Sequence, residues 1–492
     1  MVCRRKRGAG VGAFSKSEVI DAVAQLYCGV DFGTTNSSVA VSDGVSAQVL
    51  HLDDTNDPGT SLPSLLYITR DGESIVGRAA ANAFIDRNVD REVILKQIDL
   101  GVEIEAYVAS EPDKSESYRP GAVDPERRES VRARAMVEIN SPGRLFQSLK
   151  TLLRHRGFKG TEVFGTHYQI EELVSVILRR IKAAADQAAG EAVTKAVFGR
   201  PVRFSKDKDE DQAAEHRLLT AAHLAGFSEV TFFYEPVGAC VEYAVASEEE
   251  QRLMVVDIGG GTCDVCIMEF GGGHGPAQRL AESRILGVSG VPVAGDAIDR
   301  EIVRSKLFPV FGSRARYGPN KLPMPQFVYN QILDWQNLYK LNTEETINWL
   351  LAAEASSDHP EGLRALRYLI QRNFGYPIMR EVEAAKKRLS SDMETGISLH
   401  YEDIHLDERL ERHEFSHIIE DQLHVMLGTI EEAESAAGLR PDQLDLVLTT
   451  GGTSLIPAIR DMLHERYGYD RVQQRDTFTS VATGLAIVAQ YV

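Results

Sequence analysis

Cysteine is scarce. Five residues (Cys3, Cys28, Cys240, Cys263 and Cys266) in a chain of 492 cannot form a disulfide scaffold, and a reducing cytoplasm is the expected compartment. Long apolar runs are missing as well: no window approaches the roughly 18 consecutive apolar residues of a membrane-spanning helix, so no membrane partner is expected. The basic cluster Arg4, Arg5, Lys6 and Arg7 leads into Gly8 to Ser17 without the apolar stretch of a signal peptide. Positive charge is in deficit, with 54 Lys+Arg against 72 Asp+Glu and a net charge of −18. No nucleic-acid partner is expected either, because displacing counterions requires local positive charge. No G-x-x-x-x-G-K-[ST] sequence occurs, which excludes a standard P-loop. Gly8, Gly10 and Gly12 imitate a dinucleotide fingerprint but follow no predicted strand, and residues 1–25 read as a flexible basic tail.

What is present is the composition of an ordinary globular chain, 43% hydrophobic and 26% charged, with length for about three compact units. An internal repeat organises it. Leu26 to Val30 reads as a buried strand leading into Asp31-Phe32-Gly33-Thr34-Thr35-Asn36 and a second strand. Leu253 to Val256 leads likewise into Asp257-Ile258-Gly259-Gly260-Gly261-Thr262-Cys263-Asp264. A third glycine element follows a strand at Leu444 to Leu448: Thr449-Thr450-Gly451-Gly452-Thr453-Ser454, then a helix over Ile456 to His464. Helical patterns cover 170–189, 212–225, 237–246, 380–391 and 412–437, and strands are expected at 62–69, 192–199 and 230–234. Strands alternating with helices around glycine loops indicate an α/β architecture. Residues from about Ser110 to Ser130 read as an exposed loop. Those from about Arg314 to Ser357, with Trp335, Tyr339 and Trp349, read as an insertion with some core of its own.

The duplicated hairpin carries chemistry. A Gly/Thr turn between strands exposes successive backbone N–H groups with no side chain in the way, which makes an anion cradle. An Asp just before such a turn is placed to hold hydrated magnesium through its water ligands. Two cradles facing each other would grip a nucleotide's phosphate chain and its metal, which is most of what phosphoryl transfer needs. On the helix over 380–391, Glu383, Lys386, Lys387 and Ser390 fall at i, i+3, i+4 and i+7 and share one face.

Asp31 to Asn36, Asp257 to Asp264 and Gly451 to Pro457 resemble the two phosphate motifs and the adenosine motif of the actin-like ATPases. The closer resemblance is to the nucleotide-binding domain of DnaK-type heat-shock chaperones, over residues 27–491. Thr194 to Pro201, the helix around Gln212 to Ala225, and Phe233 to Ala239 resemble that family's first connecting segment, and Gly287 to Asp299 its Gly-Gly-Glu-Asp-Phe-Asp region. The resemblance implies an α/β, two-lobed actin-like (ribonuclease-H-like) fold with duplicated lobes around a nucleotide cleft. Lobe I would span 26–246 with an inserted subdomain at about 63–166, and lobe II 247–492 with one at about 298–415. It implies ATP or ADP with Mg²⁺, and a protein partner or client. Asp31, Glu235, Asp257 and Thr262 would form the catalytic centre, with Asp31 and Asp257 holding the metal through water. Gly33, Thr34, Thr35, Asn36, Gly259, Gly260, Gly261 and Thr262 would contact phosphates. Glu383, Lys386, Lys387 and Ser390, with Gly451, Gly452 and Thr453, would grip the adenosine.

The departures are informative. The family's catalytic lysine follows a Gly-x-Ala-Ala sequence; here Gly77-Arg78-Ala79-Ala80 is followed by Ala81, so an ammonium must come from Lys96, Lys150 or Arg78 or be missing. Leu455 stands in place of the adenine-stacking arginine, Lys387 in place of another arginine, and Phe478 in place of an expected Asp. Slow hydrolysis, or a weak or altered nucleotide preference, is the expectation. The resemblance ends at Val492, which suggests a chain like the short YegD-type relatives that lack the peptide-binding domain. The leading reading is a chaperone-related nucleotide switch. A small-molecule kinase and a filament-forming ATPase are the alternatives within the same fold.

Two patterns point elsewhere. His413-Glu414-Phe415-Ser416-His417 matches H-E-x-x-H, the zinc-peptidase helix with Glu414 as base, but it falls in the first turn of its helix, and a downstream Glu434 has no supporting pattern. Cys263 and Cys266 have metal or redox spacing, yet residues three apart on a strand point to opposite faces, so the sulfurs should not meet.

Overall fold

A computed structural model describes residues 26–44, 46–109, 123–245, 247, 249–271, 276–475 and 479–492. The expected tail at 1–25, the first part of the expected loop at 110–130, and Phe478 lie outside the described residues.

Two sheets share one strand order. The first holds β1 (Tyr27–Phe32), β2 (Asn36–Ser42), β3 (Ala47–Val49), β4 (Lys195–Arg200) and β5 (Glu229–Tyr234), arranged β3-β2-β1-β4-β5, with the short strand Leu62–Pro63 added beside β2. The second holds β6 (Gln251–Ile258), β7 (Cys263–Phe270), β8 (Arg284–Val291), β9 (Leu446–Thr450) and β10 (Val472–Gln474), arranged β8-β7-β6-β9-β10. In each, the first three strands form an antiparallel meander and the last two join in parallel. Parallel pairing requires crossovers that cover both faces, which explains why Leu253 to Val256 are all fully buried. The repeat read from sequence extends to register: Asp31 pairs with Ser38, and Asp257 pairs with Asp264.

Helix α1 (Arg78–Asn88) packs on the separate sheet of Leu66–Thr69, Ser74–Val76 and Gly143–Phe146; α2 (Leu149–Leu152), α3 (Ile170–Ala189) and α4 (Lys208–Ala225) lie on the first-sheet side, and α5 (Glu235–Val245) touches strands of both large sheets. Helix α3 buries Ile170, Leu173, Val174, Ile177, Leu178, Ile181 and Ala185, a stripe of helical period, and ends at Gly190 in the left-handed conformation (φ 71°). Asp207 caps α4 by accepting from the amides of Asp209 (2.9 Å) and Glu210 (3.0 Å). Asp207→Ala should therefore cost about 1 kcal/mol, read as a lower urea midpoint at unchanged slope.

Helix α8 (Glu420–Ala437) packs on the second sheet, with α6 (Gly295–Ile302) and α7 (Gly375–Arg388) in the same half of the chain, whereas α9 (Ser480–Val488) returns to lie on the first sheet. Helices α5 and α9 share one apolar cluster that takes Val197 and Phe233 from the first sheet and Leu253, Val255, Cys266 and Leu448 from the second. Both sheets thus belong to one compact unit, whose described residues fall within 26–88, 142–310 and 377–492.

The second compact unit combines 89–141 with 311–376. Asn342 donates to the Val93 carbonyl (2.6 Å) and the Tyr368 hydroxyl to Asp90 (3.1 Å), joining its two segments. The core expected for the insertion is there, with Val328, Tyr329, Leu338 and Leu350 fully buried and Trp335 packed on Tyr376 at 4.9 Å.

Three local expectations are corrected. Residues 123–130, expected in a loop, belong to strand Val123–Glu138, paired with Leu95–Ala109; a ladder satisfies the backbone whatever the side-chain composition. The single helix expected over 412–437 is two, Arg412–Ile418 and α8, because the fully buried Ile419 leaves helical geometry (φ −101°, ψ 11°). The strand over 62–69 is also two, Leu62–Pro63 and Leu66–Thr69, each pairing in a different sheet.

Candidate functional site

The two hairpin turns meet face to face. A Cβ added to Gly260 would fall 1.9 Å from the Thr35 hydroxyl oxygen, and one added to Gly261 would fall 2.5 Å from that of Thr34, so the close approach requires glycine. The framework takes up the loop carbonyls. Ser64 donates its hydroxyl to Gly33 O (2.8 Å) and its amide to Thr35 O (2.8 Å). Thr453 donates its hydroxyl to Gly259 O (2.7 Å), and the Asp296 amide donates to Gly260 O (2.7 Å). These turns wall a cavity of about 390 Å³.

Every residue expected from sequence to touch phosphate, metal or adenosine lines this one cleft. Asp31 and Asp257 are the penultimate residues of β1 and β6, and Glu235 opens α5, all reaching the same place. Asp264 stands behind them, fully buried; one oxygen accepts from the Val202 amide (2.6 Å), and the other is enclosed without a partner. Burial, then the charge of Glu235, pushes Asp31 and Asp264 up to about 7. Asp257 is raised well above the carboxylate range by burial, and next by Glu235 and Asp31.

Lys150 answers this negative charge. It is 5% exposed, lines the cleft, and makes an ion pair with Glu235 at 2.6 Å. Burial alone would lower its pKa, but Glu235, Asp31 and Asp264 outweigh burial and hold it above the ordinary lysine value. The three candidates for the missing ammonium are thereby separated. Lys96 is exposed in the other compact unit, and Arg78 bonds Asn56 (3.2 Å) outside the cleft lining. Ala81 is fully buried in α1 and does not reach the cleft.

At the other end, Glu383, Lys386 and Lys387 project from α7, and Ser390 follows its last turn. Lys386 is largely committed to the protein: it pairs with Asp299 (2.8 Å) and donates to Gly295 O (3.3 Å), bracing α7 against α6. Lys387 pairs with Glu383 (2.7 Å). Burial works to raise Glu383, but Lys387 and Lys386 prevail and keep its carboxyl below its usual range. Gly451 (φ 78°), Gly452 and Thr453 turn beneath this face, with Leu455 in the lining.

Gln147, Ser148, Asp296 and Asp299 also line or border the cleft and had no role in the sequence reading. Asp296 and Asp299 fall inside the Gly287–Asp299 segment, whereas Gln147 and Ser148 lie in no motif. Lys150 has no motif either; the only signal was the demand for an ammonium somewhere.

The zinc pattern assembles differently. The His413 and His417 rings meet edge to face at 4.9 Å, and Glu414 pairs with Lys306 (3.0 Å). Glu434 accepts from the Tyr467 hydroxyl (2.7 Å) and pairs with Arg466. No group of three His, Cys, Asp or Glu is arranged as direct metal ligands among the described residues. Cys266 meets Cys240 of α5 rather than Cys263, and the four described cysteines are free and buried.

Two sheets of one topology, each opening on a Gly/Thr hairpin beside a carboxylate, with a third glycine turn beside them, define the actin-like ATPase fold. A family model described as Hsp70 protein matches residues 151–287 and 371–492, more than half of the chain. The chain belongs to the Hsp70 family. Chaperone protein DnaK from one strain of Thermus thermophilus is 28% identical over 469 residues, covering 94% of this chain and 60% of that protein. The protein of the same name from a second strain of that organism is 27% identical with the same coverage. This chain therefore spans less than two thirds of the length of these relatives. No helix among its described residues is long and apolar enough to cross a membrane.

Proposed function

We propose that the cleft binds ATP and ADP with magnesium, and that the chain is a cytoplasmic, chaperone-related nucleotide switch acting on a protein partner or client, with slow hydrolysis by water. The observation that carries this reading is the surplus of carboxylates (Asp31, Glu235, Asp257 and Asp264) beside paired glycine cradles, with the ammonium of Lys150 among them. Hard oxygen donors in excess negative charge suit a hydrated divalent cation, and the enclosed second oxygen of Asp264 fits a site built for further positive charge. Asp31 and Asp257 would hold magnesium through its water shell, where it would neutralise the phosphate chain.

The roles of this chain's residues follow from position. Gly33 to Asn36 and Gly259 to Thr262 cradle phosphate oxygens, Thr262 lying beside the reacting end. Glu235 is placed to orient an attacking water. Glu383, Lys387 and Ser390, with Gly451 to Thr453, hold the nucleoside, and Leu455 packs on the base. The lobes would be 26–246 and 247–492, closing on nucleotide.

Calorimetric titration with ATP and ADP, with and without Mg²⁺, tests the reading. Binding in the micromolar to millimolar range is expected, tighter with Mg²⁺. Asp257→Asn should remove most of the magnesium enhancement. Absence of nucleotide binding at millimolar concentration, or an unchanged magnesium dependence in Asp257→Asn, contradicts the assignment.

A further inference from the structure

Five of the chain's 13 histidines (His400, His405, His413, His417 and His424) fall between residues 400 and 424. Imidazole is the commonest protein ligand for borderline metal ions, which makes this segment the place for a metal site outside the cleft. It comprises the hairpin of Glu394–Tyr401 with Ile404–Glu411, the short helix Arg412–Ile418, and the start of α8. Two imidazole pairs form on it. His400 and His405 stand opposite each other across the hairpin with ring centres 6.4 Å apart, and His400 is bonded to Asp407 (2.9 Å). His413 and His417 lie one helical turn apart with ring centres at 4.9 Å, and both are exposed.

Bond length separates the two pairs. A metal ion bonded at about 2.0–2.1 Å to one nitrogen of each ring, at an angle between square and tetrahedral, sets the ring centres about 4.5–5.2 Å apart. The helical pair has that separation, and the hairpin pair is too wide. The helical pair is also free to bind. His51, His167 and His400 each bond a carboxylate and His223 a carbonyl, whereas neither His413 nor His417 makes a hydrogen bond or ion pair to any described residue. Their rings meet edge to face, and a turn about each Cβ–Cγ bond, a soft torsion, aims a nitrogen of each at one point between them.

We infer that His413 and His417 chelate a borderline divalent transition-metal ion of the Zn²⁺ or Ni²⁺ class, with water completing its shell. Imidazole nitrogens suit these ions and not magnesium, which takes oxygen, so the site differs in chemistry from the cleft and does not depend on the nucleotide reading. It is no peptidase centre, because Glu414, the base of the H-E-x-x-H pattern, pairs with Lys306 at 3.0 Å. Bound there, the ion clamps one turn of a seven-residue helix and stabilises the passage from the hairpin to α8.

The test is calorimetry of the full, untagged chain with zinc chloride and with nickel chloride. Excess Mg²⁺ is present to compete for oxygen-donor sites. The parent chain carries Cys3→Ser, because the four described cysteines are buried and Cys3 lies outside the described residues. His413→Ala and His417→Ala should each raise the dissociation constant tenfold or more. Both side chains are exposed and alanine favours helix, so the circular dichroism spectrum should not change. His400→Ala and His405→Ala should change the constant less than twofold. The melting temperature should rise with Ni²⁺ in the parent chain and stay fixed in His413→Ala/His417→Ala, since an ion that binds only the folded state stabilises it. No binding at submillimolar metal, binding that survives the double substitution, or an equal loss in the hairpin variants would overturn the site.

Discussion

Gly484→Val is expected to yield little folded protein. In the close crossing of α9 on α5, a Cβ at Gly484 would lie 1.7 Å from the Gly238 carbonyl oxygen and 2.5 Å from its carbon. On the neighbouring side, Gly29 of β1 faces the same helix, where a Cβ would come 2.2 Å from the Ala486 amide nitrogen. These are backbone atoms, so no rotamer change relieves the overlap, and α9 must move off. It would take with it Leu485 and Val488, both fully buried in the cluster shared by the two sheets. A cost of about 3 kcal/mol or more follows, seen as lost soluble yield and a collapsed denaturation midpoint. A Gly484→Val protein with the wild-type midpoint would refute the packing.

The second large effect is on pH dependence in the absence of magnesium. Asp31 and Asp264 titrate near 7 in the folded protein, raised chiefly by burial, against an ordinary value of 3.8. Between these values the folded state binds more protons than the unfolded state. The stability contributed by the protonated groups is full below about pH 4 and is lost as pH rises through about 7, by up to about 1.4 kcal/mol per pH unit for each group. In EDTA, the melting temperature should fall from pH 5 to pH 8, and Asp264→Asn should flatten the slope. Magnesium with nucleotide should stabilise far more at pH 8 than at pH 5, because the cation binds the ionised carboxylates. A metal-free profile that rises over this range would exclude the buried cluster as described.

The parts legible in sequence were those where backbone chemistry demands particular residues. The hairpins needed Gly33, Gly260 and Gly261, and the strands before them needed unbroken apolar runs, so the duplication and the carboxylates at Asp31 and Asp257 could be read directly. The face shared by Glu383, Lys386 and Lys387 followed from helical period alone. Its chemistry did not: Lys386 looked like a ligand-gripping residue, and only the fold reveals that Asp299 engages it. Hairpin Leu95–Ala109 with Val123–Glu138 escaped because its second strand is polar and its partner lies outside any local window.

Local sequence thus determined the α/β class, the repeated glycine turns, and most of the side chains that line the cleft. It did so because turn geometry and periodicity act over a few residues. The tertiary structure alone decided where charge is balanced. Lys150 and Glu235 are 85 residues apart in sequence, and neither has a pattern that announces the other. Their 2.6 Å contact exists because α2 lies on the first-sheet side and α5 touches both sheets, which brings the ammonium to a cluster of carboxylates supplied by both halves of the duplication. Electrostatic balance depends on distances through space, and these become defined only when the chain is folded.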